Sequence, residues 1–527
     1  MVLDVGINVI EANGRSTPTI EAAPTSVAAF LGVTERGVPN RPVRISSPEQ
    51  FRNRFGRHGT NGYLAYAIAG FFGNGGREAH VNRIVASTTT ATSWVLNDRQ
   101  ITPAPTLQVT AGYRGQVDPG IWGNRLRLDI RAETDSFRLI VRYQATPSES
   151  FTVVEDWSGL TMEVNSPNYA VTRLNNAFTG SNYIVLTNLN SSATGLQRQP
   201  AVVSNLAPGT LATETVPSAN DYIGDSTTGF HGFDTVQVQL LAIPDAHTLV
   251  DGLGADAGRE TVVQSALDYC AQRGDLMFVG TVPHRQPNEL ESNYLSRIQT
   301  YSSQFQSSKV YGALYGPWIE VNDPVGNGPA PTRYSPADGH IMGIYARTER
   351  ERGIWKAPAG LAAQVRGGLS VAAEFTDRQH TSLVRDGLVN SIRFTAGSGI
   401  TLTASRTLST DTRWWFVNVR LLFNFVKTSL RDGLHFVRQE PHTADLRRNV
   451  QLNVVRPFLL GLWRQGAFGS EDPDTVFSIK CDAENNPPTE VNLGNFRIEV
   501  YFYAARPVET IRLIVGQQPS GASANEL

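Results

Sequence analysis

The sequence predicts a multidomain fold of mixed α/β and α+β class: a central α/β core interrupted by an all-β surface insertion, then a C-terminal α+β unit with a strand-like arm at each chain end. Three observations carry this. Residues 233–316 alternate apolar strands with amphipathic helices in a βαβαβ order, which implies parallel strands joined by right-handed crossovers. Residues 87–229 change to a Thr-, Ser-, Asn- and Gly-rich texture with short alternating runs. Near the end, Phe496, Ile498, Val500 and Phe502 alternate with Arg497, Glu499, Tyr501 and Tyr503, the two-residue period of a half-buried strand.

Taken in order, residues 1–23 read as an N-terminal arm whose Val5, Ile7 and Val9 alternate with Gly6, Asn8 and Ile10. Residues 24–86 form the first part of the α/β core. They comprise a strand at 27–33, a helix opened by Ser47-Pro48-Glu49 and closed before Gly56, a helix at 63–72, and a strand at 79–85. Gly73-Asn74-Gly75-Gly76 is a helix stop; the Gly-Lys-Ser/Thr ending of a phosphate loop is missing from it. Within the insertion, strands are expected at 126–131, 138–143, 151–155 and 183–189, and a long polar loop at 187–221.

The second part of the core, 230–360, has strands at 238–243, 276–282 and 310–315 and helices at 259–273 and 289–305. Ser335-Pro336-Ala337-Asp338 then signals a helix running to Arg352, with Ser335 as its cap and Gly353 as its stop. The C-terminal unit, 361–505, should hold two strands about Gly397-Ser398-Gly399, helices at 415–438 and 443–465 with Pro457 kinking the second, and a strand at 476–481. Residues 506–527 form the C-terminal arm, in which Ile511, Leu513 and Val515 share one face. Strands at both ends need backbone partners, from this chain or from another copy by strand addition.

Composition narrows the function. At 527 residues the chain is too long for a single core, and 40% hydrophobic with 18% charged residues describes a globular protein. A net charge of -2 argues for neither direct nucleic-acid binding nor attraction to a lipid surface. Of the 46 basic residues only Lys309, Lys356, Lys427 and Lys480 are lysines, leaving 42 arginines, whose planar forks suit bidentate contacts at interfaces. Cys270 and Cys481 stand far apart, which supports neither a disulfide framework nor a zinc site and fits synthesis in a reducing cytoplasm. The start, with Asp4 and Glu11, lacks the apolar segment of a secretion signal. The most apolar run, 414–426, is broken by Arg420 and too short for membrane insertion.

Two constellations could carry chemistry. On the 415–438 helix, Arg420, Asn424, Lys427, Arg431 and Arg438 fall on one face beside an apolar stripe of Leu422, Val426, Leu430, Leu434 and Val437. That face is either a solvated helix surface or a docking surface for an acidic partner. Asp245, His247, His284, Ser335 and His340 supply the residue types of a serine hydrolase, but no Gly-x-Ser-x-Gly elbow frames a nucleophile and no His-Glu-x-x-His occurs. No cofactor motif is present. A third reading gives the 87–229 insertion a surface-binding, adhesin-like role.

The run from Gly339-His340-Ile341-Met342-Gly343-Ile344-Tyr345 through Gly353-Ile354-Trp355-Lys356-Ala357-Pro358-Ala359-Gly360 resembles the signature of contractile tail sheath proteins. Asp118-Pro119-Gly120-Ile121-Trp122-Gly123-Asn124 before it, and Ser405-Arg406-Thr407-Leu408, Phe477-Ser478-Ile479-Lys480-Cys481-Asp482 and Arg506-Pro507-Val508-Glu509 after it, occur in the expected order. The resemblance implies a subtilisin-like core without catalysis and a C-terminal polymerisation domain. It also implies terminal strands exchanged between subunits: Val5, Ile7, Val9, Phe496, Ile498, Val500, Phe502, Ile511, Leu513 and Val515. As partners it implies copies of the chain in stacked hexameric rings, an inner tube protein gripped by Arg420, Lys427, Arg431 and Arg438, and baseplate and terminal cap proteins. A phage tail and an extracellular injection particle fit equally.

Overall fold

In the computed structural model, residues 19–59, 62–249, 258–326, 328–469 and 472–509 are described. The core opens with β1 (Ala28–Gly32), β2 (Val43–Ile45), α1 (Pro48–Phe55), α2 (Leu64–Gly73) and β3 (Ala79–Arg83). After the insertion it resumes with β4 (Leu240–Ala242), α3 (Gly258–Arg273), β5 (Met277–Thr281), α4 (Glu291–Ser303) and β6 (Gly312–Gly316). Then come α5 (Asp338–Arg352), β7 (Val389–Thr395) and β8 (Gly399–Leu402). These strands form one eight-stranded sheet in the order β8-β7-β6-β5-β4-β1-β3-β2. Six central strands are parallel; β2 and β8 close the two ends antiparallel.

Parallel strands buried on both faces need apolar residues at every position, and β1 shows the division of labour. Ala28 and Phe30 point into one core with α2 and α5, Ala29 and Leu31 into the other with α3 and α4. The insertion encloses a third core between two antiparallel sheets, around Trp94, Trp122, Leu128 and Val141. Residues 219–235 already pack on the core, because Tyr222, Phe230 and Phe233 are buried against α3.

The C-terminal unit contains α6 (Val417–Gly433), α7 (Ala444–Asn449), a π-helical turn (Val450–Val455), α8 (Arg456–Arg464), β9 (Phe477–Lys480) and β10 (Glu499–Phe502). Several sequence expectations change here. The single helix expected at 443–465 contains the π-turn, placed immediately before Pro457, whose ring and missing N–H are incompatible with regular α pairing to the preceding turn. The 415–438 helix ends at Gly433, so Arg438 follows a short 3₁₀ turn and lies off it. Ser335 does not cap α5: it is the last residue of the strand Thr332–Ser335, paired with Ile319, and the helix starts at Asp338. The 187–221 stretch holds a strand, Val203–Leu206, laid against Leu128 and Ile130.

The α2–α5 crossing explains the spacing of Gly339 and Gly343. A methyl on Gly339 would fall on the Ala67 carbonyl, and one on Gly343 would sit 2.5 Å from the Phe71 carbonyl oxygen. Two glycines four apart on one helix face let the backbones approach, and Gly70 of α2 admits the His340 ring in return.

Candidate assembly interface

The helix α6 holds the segments leading to both chain ends. Near its start, the buried amide of Asn418 donates to the carbonyls of Trp355 (2.7 Å) and Ala505 (3.0 Å). Near its end, the Ser429 hydroxyl accepts from the Ala23 N–H at 3.0 Å, and Ile20 packs over Gly433. At 1.5 Å of rise per residue these anchors are roughly 16 Å apart on one rigid element. Ser26 hydrogen-bonds the carboxylate of Glu349 at the far end of α5, where burial pushes that carboxyl up to about 8. Downstream of β10, Ala505 N–H reaches the Ala467 carbonyl, and Glu509 closes on Arg406 through two hydrogen bonds.

β9 and β10 pair antiparallel with Phe477 opposite Phe502 and Ile479 opposite Val500. One face rests on α6, where Phe502 stacks on Phe423 with centroids 4.0 Å apart; the other shows Tyr501, 61% exposed. No third strand joins the pair among the described residues, so β10 presents an outer edge. The strand is shorter than its alternation implies. Phe496 and Ile498 precede it, because the side-chain amide of buried Asn486 takes both the N–H (2.7 Å) and the carbonyl (2.8 Å) of Arg497, substituting for a ladder. Val5, Ile7, Val9, Ile511, Leu513 and Val515 lie outside the described residues.

Within the basic stripe Arg420 is buried, whereas Lys427, Arg431 and Arg438 are exposed. Arg420 is 3% exposed, its guanidinium between the rings of Tyr311 (4.1 Å) and Trp414 (3.9 Å), and burial draws it down to about 10. Lys427 donates to the Gly274 carbonyl and lies by Tyr311, its pKa likewise lowered by burial. These two cations fasten α6 to the core. The expectation of one open cationic face is corrected at Arg420 alone: a helical wheel identifies neighbours on a face but not which domain covers it. Arg431, about half exposed and 3.3 Å from Asp275, and Arg438 remain at the surface.

The hydrolase residue types do not converge. Asp245, in the 3₁₀ turn that follows β4, accepts the N–H groups of Val33 (2.7 Å), Tyr63 (2.5 Å) and Leu64 (3.3 Å), so it caps α2. Here the strand order reverses between β1 and β4, the crevice where doubly wound sheets bind ligands, and the Asp245 side chain fills it. Burial raises its carboxyl to about 6. His247 and His284 each meet the Trp318 ring edge-to-face, at 5.1 and 4.7 Å. His340 is buried over Gly70 and held down to about 4, hence neutral. Ser335 turns its hydroxyl to the Pro336 carbonyl. No Ser–His–Asp hydrogen-bonded series forms among the described residues, nor any His/Cys/Asp/Glu grouping suited to a metal.

No family model matches the chain. In sequence it is 26% identical over 245 residues, 45% of its length, to the tail sheath protein of Enterobacteria phage T4. In fold, a TM-score of 0.57 relates it to the sheath of the extracellular contractile injection system PVC in its contracted state, over 98% of this chain and 99% of that one at 16% identity. In sequence the chain is thus similar to a tail sheath protein, and in fold to a subunit of a contractile injection system. A subunit from the baseplate structure of the anti-feeding prophage gives a TM-score of 0.56 at 18% identity, over 98% of this chain and 100% of that one. The match spans about a third of the T4 sheath protein's own length, 34%. Two of the motif pieces separated in sequence meet in space. Arg406 of one bonds Glu509 of another, and Asp118 of a third accepts from buried Arg83 at 2.8 Å. Sequence reasoning singled out these runs without pairing them; nor did it foresee the Asn418, Ser429 and Asn486 contacts, since lone polar residues carry no pattern.

Proposed function

We propose that the chain is the structural subunit of a contractile sheath, polymerising as stacked hexameric rings around an inner tube and contracting to drive that tube through a target envelope. The observation that carries this reading is the two-way correspondence with injection-system sheath subunits, which extends over nearly the whole of both chains. Anchoring of both chain-end segments on α6 supports it, because strands donated to neighbouring copies transmit force only if their roots are fixed. The open edge of β10 is a place where a neighbour's strand can add, through Val500 and Phe502. Tube contact falls to the exposed Arg431 and Arg438, while buried Arg420, and exposed Lys427 through its bond to the Gly274 carbonyl, brace the helix. Baseplate and terminal cap proteins contact the ends of the stack. The core takes the part of the family's subtilisin-like unit, with Asp245 as a cap and His340 as packing, which supports a structural rather than an enzymatic role. Energy for contraction is conformational, a passage between two packings of the same subunits. Assembly takes place in the cytoplasm, and the product belongs to a phage tail or a released injection particle.

Negative-stain imaging of the purified chain tests the proposal: hollow cylinders are expected, and isolated monodisperse particles under all assembly conditions would overturn it. Removing residues 1–12 should abolish ordered cylinders; cylinders of normal length from that variant would rule out strand donation by the N-terminal arm.

A further inference from the structure

Between the core and the insertion lies a cleft of about 820 Å³, lined by Arg36, Arg41, Arg44 and Arg54 from one side and Arg114 from the other. No Asp or Glu stands in its described lining. The carboxylates around it are already engaged. Glu78 takes both nitrogens of Arg44 at 2.7 Å, Asp118 takes Arg83 and the Gly37 N–H, and Glu35 takes Arg125 and the Arg57 N–H. Among the described residues Arg36, Arg41, Arg54 and Arg114 form no ion pair with a carboxylate, and Asp118, already bonded to Arg83, acts on Arg54 and Arg36 only from a distance.

Aromatic faces hold three of these guanidiniums in place. Arg54 lies 3.3 Å from the centroid of the Tyr113 ring, Arg114 lies 5.0 Å from the same centroid, and Arg36 lies 5.0 Å from that of Tyr183. Arg36 also donates to the Asn53 carbonyl and Arg114 to the Asn182 amide oxygen. Converging like charges repel, and the half-buried position of Arg54 adds a desolvation cost; its pKa is lowered by burial, against the opposing pull of Tyr113 and Asp118, and further by Arg36 and Arg41. Planar guanidiniums fixed at one mouth match the oxygens of phosphate or carboxylate groups in bidentate fashion.

We propose that this cleft binds a multivalent oxyanion, of the phosphate type or a cluster of carboxylates, which ties the 36–54 segment of the core to Arg114 of the insertion. This inference is independent of the sheath reading. Calorimetric titration of the full chain with sodium tripolyphosphate at low salt should show saturable binding. The double variant Arg41→Gln/Arg114→Gln should weaken it by about tenfold or more, with the far-UV spectrum and Tm retained. Arg393→Gln, at a half-buried arginine paired with Asp377 elsewhere, should leave it unchanged. Absence of saturable binding, or equal affinity in the double variant, overturns the proposal; so does equal weakening in Arg393→Gln. If the double variant misfolds, Arg41→Gln alone serves, since that side chain is exposed. Sedimentation velocity separates the two sources of the oxyanion. Tripolyphosphate that dissolves self-association, with the double variant failing to associate, points to carboxylates of a second copy; unchanged association with binding intact points to a free anion.

Discussion

The guanidinium of Arg406 grips the carboxylate of Glu509 side-on, Nε to Oε1 at 2.9 Å and Nη2 to Oε2 at 2.6 Å, while the Trp415 ring lies 4.7 Å from the guanidinium carbon. Arg406 is 6% exposed, so the pair sits in a poorly solvated setting where removing one partner strands the other. Glu509→Gln should cost about 1–3 kcal/mol. The Tm should fall, and trypsin should cut faster after Arg506; an unchanged cleavage rate would show that the pair does not hold the C-terminal root.

The close α2–α5 crossing makes a sharp contrast between two glycines. Gly343→Ala pushes a methyl against the Phe71 carbonyl and the Asn74 side chain and should lose about 1–3 kcal/mol in urea unfolding. Gly461→Ala, on α8 with open space around the position, should be neutral or gain up to about 1 kcal/mol. Equal effects at the two positions would refute close backbone approach as the reason for Gly343.

Asp338 gives a pH signature. Burial raises its carboxyl to about 7, against the opposing hydrogen bond from Thr281. The folded chain therefore holds this proton across a window, from the ordinary carboxylate range up to about 7, in which the unfolded chain has released it. Stability falls as pH rises through that window. Asp338→Asn keeps an acceptor for Thr281 and should flatten the decline, leaving the variant more stable than the parent at pH 8 by about 1–3 kcal/mol. Asp245 and Glu349, raised to about 6 and about 8, leave a shallower slope of the same sign. Denaturant midpoints at pH 5, 6, 7 and 8 measure it, and parallel curves for parent and variant would contradict the assignment.

Charge reversal distinguishes the two halves of the basic stripe. Arg431→Glu with Arg438→Glu removes surface charges worth about 1 kcal/mol or less each, so the fold should persist while the fraction of tube-filled sheaths falls. Lys427→Glu should instead destabilise the subunit by about 1–2 kcal/mol, since it removes the charged hydrogen bond from this exposed residue to the Gly274 carbonyl and its contact with Tyr311. Tube filling unaffected by the double reversal would remove Arg431 and Arg438 from the docking surface.

Local periodicity made most of the core readable in advance. The β4-α3-β5-α4-β6 succession, the Ser47 cap of α1, the Gly353 stop of α5 and the hairpin about residues 397–399 are all set by contacts within a few residues, and a linear pattern records such contacts directly. The signature run containing Gly339 and Gly343 was legible as a motif, and its residues proved to be a helix packed hard against α2.

What the linear pattern could not specify is which surface meets which. Arg420 and Arg431 stand on the same helix with the same chemistry, yet one is enclosed by Tyr311 and Trp414 while the other meets solvent, because the core covers only part of that face. Likewise Asn418 to Ala505, Asn486 to Arg497 and Arg406 to Glu509 depend on backbone and side chains brought together by folding across 87, 11 and 103 residues. Sequence alone determined the elements and their order, since each arises from short-range sterics and burial periodicity; only the tertiary structure decided how the chain-end roots are anchored on α6 and which charges stay free, since both depend on long-range desolvation.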